Sequence, residues 1–331
     1  MEALLALLLG FPVILAGAEL FTNAVEHVGA GLAVSEGVAG SLLAGIGTAL
    51  PETAVPVLAS LGRAHGDRPD IAVGAVFGAP LMLSTLTFGL MALFAGRARG
   101  FRAALVPERS GLRRDLDWFL GIFAMAAAGL FVPQGPWRPV LAALLVVAYG
   151  AYVVQTVGAS VALREAGHGS RVRRPLHIDR LRGGRSGLRY VQLLLGLSLI
   201  LGGAELFVRG VEGVGTMFHW PVLVLALVVV PIATELPEKV NSILWIRRGQ
   251  DTLAFGNITG ALVFQGSLLP ALGLTLTPWQ PRPVLLAVTI ATLAGAAWVR
   301  WHAARARALH PVPLLANALL YAAIMVYFIH L

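Results

Sequence analysis

The stretch Gly17–Glu52, GAELFTNAVEHVGAGLAVSEGVAGSLLAGIGTALPE, returns at Gly203–Glu238 as GAELFVRGVEGVGTMFHWPVLVLALVVVPIATELPE. The two segments align without gaps at a constant offset of 186, and 15 of the 36 aligned positions are identical. The match resumes after a four-residue shift, with Ala72–Ala79 opposite Ala254–Ala261. The chain is therefore an internal duplication.

Long apolar stretches surround these segments. Of 331 residues, 57% are hydrophobic and 13% are charged, and the mean hydropathy is +0.78. Soluble domains carry about 25% charged residues, so this composition predicts a polytopic α-helical membrane protein. The absence of cysteine excludes disulfides, thiolate metal sites and cysteine nucleophiles.

Apolar runs bounded by glycine, proline and charged residues predict ten transmembrane helices. They are placed at residues 3–26, 34–62, 70–94, 117–133, 138–163, 190–212, 220–246, 252–276, 283–301 and 311–331. Residues 1–163 and 190–331 then hold five helices each, joined by the basic loop 164–189. Because five is odd, the second repeat enters the membrane inverted, which is typical of secondary transporters.

The basic residues indicate the orientation. On this assignment 19 of 25 fall on one side of the membrane and five on the other, with Lys239 inside a span. The positive-inside rule places the loop 164–189 in the cytoplasm and both termini outside, in a plasma or inner membrane. The net charge of +8 is thereby explained by topology, and no nucleic-acid partner is expected.

Both repeats keep a motif that lipid penalises: GTALPE at residues 47–52 and ATELPE at residues 233–238. A carboxylate without a partner inside a bilayer costs at least about 2.5 kcal/mol, so its repetition indicates a binding site. The proline lacks an N–H and clashes with the carbonyl four residues earlier. Each helix is therefore predicted to break, which frees the carbonyls of Gly47 and Ala233.

The threonine and glutamate of each motif are four residues apart and share a helical face. We predict that Thr48, Glu52, Thr234 and Glu238 converge with the freed carbonyls on a net-negative, all-oxygen site. Such a site suits a hard cation, Ca²⁺ or Na⁺, or H⁺ in place of a metal ion.

Other repeated positions have two interpretations each. The third and eighth spans carry glycine pairs that favour helix packing, with substrate contact as an indirect consequence: Gly74, Gly78, Gly256 and Gly260. Four acidic residues either line a vestibule or are hydrated anchors, and the anchor role is favoured for the last two: Glu19, Glu205, Glu26 and Glu212. Three polar residues either replace missing ligands or bond a neighbouring helix: Gln265, Asn241 and Ser242.

These motifs resemble the cation/Ca²⁺ exchanger superfamily, in particular the sodium/calcium exchanger membrane region, of which the chain looks like a divergent member. The segments at 47–52 and 233–238 are similar to the family's G-T-S-x-P-E motif. GAEL at 17–20 and 203–206 resembles its first-helix opening, and Gly256–Gly260 its G-N-x-x-G segment.

The resemblance implies ten helices in two inverted repeats and secondary active antiport by alternating access. It also implies that Thr48, Glu52, Thr234, Glu238 and the freed carbonyls bind Ca²⁺, which is exchanged for Na⁺ or H⁺. Asn257 keeps the amide of the G-N-x-x-G segment, so it is included among the expected ligands.

The chain departs from the family pattern in several places. The motif serine is Ala49 in the first repeat and Glu235 in the second, and Glu235 joins the expected ligands. Residues 78–80 and 260–262 supply no side-chain oxygen where relatives have ligands. Lys239 lies four residues after Glu235, an order that favours a helix ion pair. With a charged Lys239 the predicted cluster carries −2, otherwise −3, and an ammonium there would stand in for a monovalent co-ion.

Two alternatives stay open: a proton-coupled antiporter of another cation, and a channel-like or non-transporting remnant of the family. No enzyme is expected, because no HExxH motif or nucleophile–base pair is visible, and no Walker A motif suggests a nucleotide partner. The expected partners are inorganic cations and the lipid bilayer. No cofactor beyond the transported cations is expected, and a monomer is predicted.

Overall fold

The structure, a computed structural model, describes residues 2–31, 51–61, 68–164, 176, 187–305 and 308–330. Three predicted features therefore lie outside the described residues: Gly47, Thr48 and most of the basic loop 164–189.

The described residues form helices joined by short connections. The helices are α1 (Glu2–Gly31), α2 (residues 51–61), α3 (Arg68–Met82), α4 (Phe88–Arg99), α5 (Arg109–Ala128), α6 (Trp137–Arg164), α7 (Leu188–Phe218), α8 (Val222–Thr234), α9 (Leu236–Arg247), α10 (Asp251–Leu276), α11 (Pro283–Arg305) and α12 (Pro311–Ile329). A π-helix, Leu83–Thr87, joins α3 to α4, and a 3₁₀ turn, Gly129–Phe131, follows α5. Among the described residues, β-structure is limited to one antiparallel bridge between Leu105 and Leu309.

Seven described helical segments are long and apolar enough to cross a bilayer. They are Glu2–Phe21, Arg68–Arg99, Trp137–Gly158, Leu188–Phe218, Asp251–Leu276, Pro283–Arg305 and Pro311–Ile329. The prediction of an all-α membrane protein is confirmed. The arrangement of ten helices in inverted repeats remains a prediction.

Helix α5 begins at Arg109, well before residue 117, where the sequence predicted a span to start. The reason is a cap outside the apolar run. The Glu108 carboxylate accepts the backbone N–H groups of Ser110 at 2.8 Å and Gly111 at 2.6 Å, which satisfies two donors of the first turn. The helix therefore includes a charged first turn that a hydropathy reading assigns to a loop.

The chain divides into two compact units, Met1–Arg68 with Val153–Trp220, and Pro69–Tyr152 with Pro221–Leu331. In the first unit α1 and α7 run antiparallel in close contact. A Cβ added to Gly17 would lie 2.7 Å from the backbone nitrogen of Ile200, and one added to Gly203 would lie 2.9 Å from that of Ile14. These glycines open the two GAEL segments, so that part of the repeat serves helix packing.

In the second unit α3 packs against α8 through the glycines of the third predicted span. A Cβ added to Gly78 would lie 2.7 Å from Cγ of Pro231, and one added to Gly74 would also meet α8. The packing prediction is confirmed for this pair. Around Gly256 and Gly260 no described atom lies within 4 Å of an added Cβ, so close packing is shown for the first pair alone.

The π-helix after α3 is held by a buried amide. The side-chain nitrogen of Asn317 donates to the carbonyl oxygens of Ser84 at 2.7 Å and Gly295 at 2.9 Å. A π-turn disturbs the regular ladder of helical hydrogen bonds, and Asn317 supplies a partner there. This contact fixes the segment that directly follows Met82, the last residue of α3.

Candidate cation site

The ATELPE motif forms a break between two helices. Helix α8 ends at Thr234, α9 begins at Leu236, and Glu235 lies between them with φ −89° and ψ 1°. Pro237 occupies the first turn of α9, where its missing N–H costs no hydrogen bond. The predicted break in this helix is therefore confirmed.

Two carboxylates are buried at the break. Glu235 has no exposed surface and Glu238 is 5% exposed. Oε1 of Glu235 accepts a hydrogen bond of 2.6 Å from Nε2 of Gln265 in α10. Oε2 of each glutamate has no hydrogen-bond partner among the described residues. Buried oxygens of this kind are the ones a bound cation satisfies.

Lys239 follows these carboxylates and is itself buried, at 6% exposed. Its Nζ donates to the carbonyl oxygen of Pro231 at 3.0 Å and to Sδ of Met82 at 2.7 Å. Its backbone N–H donates to the carbonyl oxygen of Glu235 at 3.1 Å, so the lysine lies one helical turn after that residue. The Pro231 carbonyl additionally accepts the N–H of Glu235 at 3.1 Å, so it belongs to the last turn of α8.

Two further predicted ligands border the break. Nδ2 of Asn257 in α10 donates to the backbone carbonyl of Glu238 at 3.2 Å and to Oγ of Ser242 at 3.0 Å. Oγ1 of Thr234 donates to the Val230 carbonyl at 3.2 Å, and its lone pairs can still accept a hydrogen bond or bind a cation. Ala233, whose carbonyl was predicted to be freed, is buried in the last turn of α8.

The first motif is described in part. Glu52 lies in α2 and is buried, at 4% exposed. Gly47 and Thr48 are outside the described residues. The second repeat therefore supplies the geometry of the site.

Two of the other repeated acidic residues, Glu205 and Glu212, have ion-pair partners in the first unit. Glu205 pairs with Arg68 at 3.1 Å and with Arg209 at 2.8 Å, and Glu212 pairs with Nε of Arg68 at 3.2 Å. This agrees with the anchor interpretation of Glu212 and favours the same role for Glu205. The side chain of Glu26 is outside the described part of the chain.

A model of the sodium/calcium exchanger protein family matches residues 2–158 and 188–330. The chain belongs to the sodium/calcium exchanger family. Members of this family are secondary transporters, so the protein is a membrane cation exchanger and not an enzyme.

Known proteins and structures support this assignment. The inner membrane protein YrbG of Escherichia coli strain K12 is 30% identical over 250 residues, which cover 75% of this chain and 71% of that protein. The crystal structure of the H⁺/Ca²⁺ exchanger CAX has a TM-score of 0.72 at 19% identity, covering 99% of this chain and 86% of CAX. The sodium-calcium exchanger NCX_Mj has a TM-score of 0.60 at 20% identity, covering 98% of each chain. At these identities the two structures show a shared fold.

Two hydrogen-bond partners of Lys239 were not predicted from the sequence of this exchanger, the Pro231 carbonyl and Sδ of Met82. Side chains on a helix lean toward its N-terminus, so a lysine at position 239 reaches back past Glu235 to the Pro231 carbonyl. The direction of the side chain, toward the end of α8, could therefore have been predicted from the sequence. The contact with Met82 could not, because 157 residues separate the two positions.

Proposed function

We propose that this exchanger is a secondary active antiporter that moves Ca²⁺ against Na⁺ or H⁺ by alternating access. The observation that carries the proposal is the pair of buried carboxylates at the helix break, Glu235 and Glu238, each with one oxygen that no described group hydrogen-bonds. A protein places such groups inside a membrane helix at considerable cost, and a transported cation offsets it.

The proposed ligands come from both repeats. In the second repeat they are Thr234, Glu235, Glu238, Asn257 and the Ala233 carbonyl. In the first they are the equivalents Thr48 and Glu52, with the Gly47 carbonyl. The duplicated motif supports this assignment, because both copies keep a threonine, a proline and a glutamate at the same spacing.

Calcium is the proposed substrate because carboxylate, hydroxyl and carbonyl oxygens are the ligands that hard cations prefer. The related structures are named for Ca²⁺ exchange with H⁺ in one case and with Na⁺ in the other. In the proposed cycle Ca²⁺ and the co-ion compete for the same carboxylates. Binding of one on either side of the membrane therefore releases the other.

The proposed architecture has ten helices in two inverted repeats, residues 1–163 and 190–331, with the basic loop 164–189 in the cytoplasm. Both termini lie outside, and the protein is a monomer in the plasma or inner membrane. The lopsided distribution of arginine supports this orientation.

The test is uptake of radiolabelled Ca²⁺ into proteoliposomes that carry an outward Na⁺ gradient, an outward H⁺ gradient or no gradient. We expect one gradient to drive uptake and Glu238→Gln to reduce it to the level of empty liposomes. Uptake without any gradient would indicate a channel. No uptake by folded protein under all three conditions would contradict the proposed function.

A further inference from the structure

Lys239 is the only lysine in the sequence, which otherwise uses arginine for its basic residues. The equivalent position in the first repeat is Thr53, so the duplication does not require a basic residue here. An arginine is a planar fork of donors, whereas a lysine ammonium is a compact point charge. The basic side chain directly after the motif therefore presents the charge of a monovalent cation in a compact form.

Besides Sδ of Met82, Nζ contacts an oxygen of the kind that binds hard cations. The Pro231 carbonyl lies 3.0 Å away, in the last turn of α8, where the helix dipole is negative. The carboxylates of Glu235 and Glu238 belong to the same helix break, one turn before Lys239 and directly before it. Carbonyl and carboxylate oxygens at the end of a broken helix are also groups that bind Na⁺ in transporters.

The ammonium changes the charge that the transported ions must supply. In the second unit the ionised side chains of Glu235, Glu238 and Lys239 sum to −1, whereas the two carboxylates alone would sum to −2. A mobile monovalent ion would have to bring that charge if Lys239 were absent. The covalently attached charge stays with the protein through the transport cycle.

We propose that the Lys239 ammonium permanently fills a monovalent-cation subsite of the second motif, so that Na⁺ does not bind there and exchange needs one monovalent co-ion fewer. This inference rests on the proposed function and names a specificity determinant for it. It predicts that removing the charge creates a requirement for Na⁺ that the natural protein lacks.

The first test is exchange of radiolabelled for unlabelled Ca²⁺ across proteoliposomes, in Na⁺ or in an equal concentration of choline. We expect Na⁺ not to stimulate exchange by the natural protein, in which it can only compete with Ca²⁺. Lys239→Met keeps the length of the side chain and removes the charge. Na⁺ should therefore stimulate exchange by this variant at least about 10-fold, because the interaction of one unit charge with a nearby site exceeds the free energy of a 10-fold change. Equal Na⁺ dependence of the natural protein and Lys239→Met would overturn the proposal.

The matched control is Arg300→Gln. It removes one positive charge from the same unit, but from an exposed ion pair with Asp117 at 2.7 Å, whereas the side chains at the helix break are buried. We expect it to match the natural protein in both salts. Na⁺ stimulation of Arg300→Gln as large as that of Lys239→Met would overturn the proposal, because any lost charge would then suffice.

A second readout separates this proposal from the proposed function. Thermal unfolding of purified protein in Na⁺ and in choline measures Na⁺ binding without transport. We expect Na⁺ to raise the Tm of Lys239→Met by more than it raises that of the natural protein, even if no preparation transports Ca²⁺. Lys239→Gln repeats the measurement if Lys239→Met does not yield folded protein. A Na⁺-induced rise in Tm that is no larger in Lys239→Met and Lys239→Gln than in the natural protein would contradict the proposal.

Discussion

Gln265 makes the burial of Glu235 possible. Its Nε2 donates to Oε1 of the carboxylate at 2.6 Å, and both side chains are buried in the second unit. A buried group that loses its hydrogen-bond partner costs about 1–3 kcal/mol, and more when it is charged. We therefore predict that Gln265→Leu lowers the stability of the protein by roughly this amount, measured as a lower Tm in detergent.

The control for Gln265→Leu is Gln134→Leu, an identical change at an exposed position between α5 and α6. Its Tm should stay close to that of the natural protein. If both variants behave alike, the hydrogen bond to Glu235 does not stabilise the fold.

Individual residues of the site could be predicted where the sequence breaks a physical rule. Glu52 and Glu238 stood out because a carboxylate in an apolar helix requires a reason, and both are buried. The partners of Lys239 could not be predicted in the same way. Its contact with Met82 depends on the packing of α3 against α8, which no local pattern reports.

At the level of helices, the GAEL segments supply close packing. Gly203 of α7 lies against Ile14 of α1, whereas an added Cβ at the neighbouring Gly202 meets no described atom within 4 Å. We predict that Gly203→Ala lowers the Tm, because overpacking costs roughly 1–3 kcal/mol.

Gly202→Ala is the matched control for that variant. The same methyl group is added to the same helix one residue earlier, and alanine favours a helix by up to about 1 kcal/mol over glycine. Its Tm should be unchanged or higher. A larger loss in Gly202→Ala than in Gly203→Ala would contradict the packing of α1 against α7.

The sequence predicted the helix break at Glu235 but not the residue at which α5 begins. The break at Glu235 followed from Pro237, since proline cannot continue a helix without loss. The start of α5 did not follow from hydropathy, because the cap formed by Glu108 lies among charged residues. Apolar periodicity therefore locates the middle of a span more reliably than its ends.

For the whole molecule, the distribution of arginine predicts the orientation of the chain. The natural sequence contains no cysteine, so single cysteines can report accessibility without a background. We predict that Gln134→Cys reacts with a membrane-impermeant maleimide in intact cells. Ser170→Cys, in the basic loop, should react only after lysis, because that loop faces the cytoplasm.

Each cysteine variant serves as the control for the other, since both should be labelled in lysed cells. The reverse pattern in intact cells would invert the topology. Equal labelling of both positions in intact cells would place them on one side and contradict the proposed number of spans between them.

The fold class could be predicted from the whole sequence, whereas the ten-helix inverted repeat remains a prediction. Long apolar runs made an all-α membrane protein the expected class, and seven described helices fit a bilayer. The inverted repeat rests on counting spans, and residues 34–62 hold one that is only partly described. The identity of the ion depends on ligand geometry that composition does not encode.

The central claim is that this exchanger binds Ca²⁺ at the motif glutamates and releases it only in exchange. Its most direct test is efflux of radiolabelled Ca²⁺ from proteoliposomes into choline medium that holds unlabelled Ca²⁺, Na⁺, a raised H⁺ concentration or none of these. We predict efflux with unlabelled Ca²⁺ and with one of the two co-ions, and none above empty liposomes for Glu52→Gln or Glu238→Gln. Equal efflux in all four media, or normal exchange by either variant, would contradict the claim.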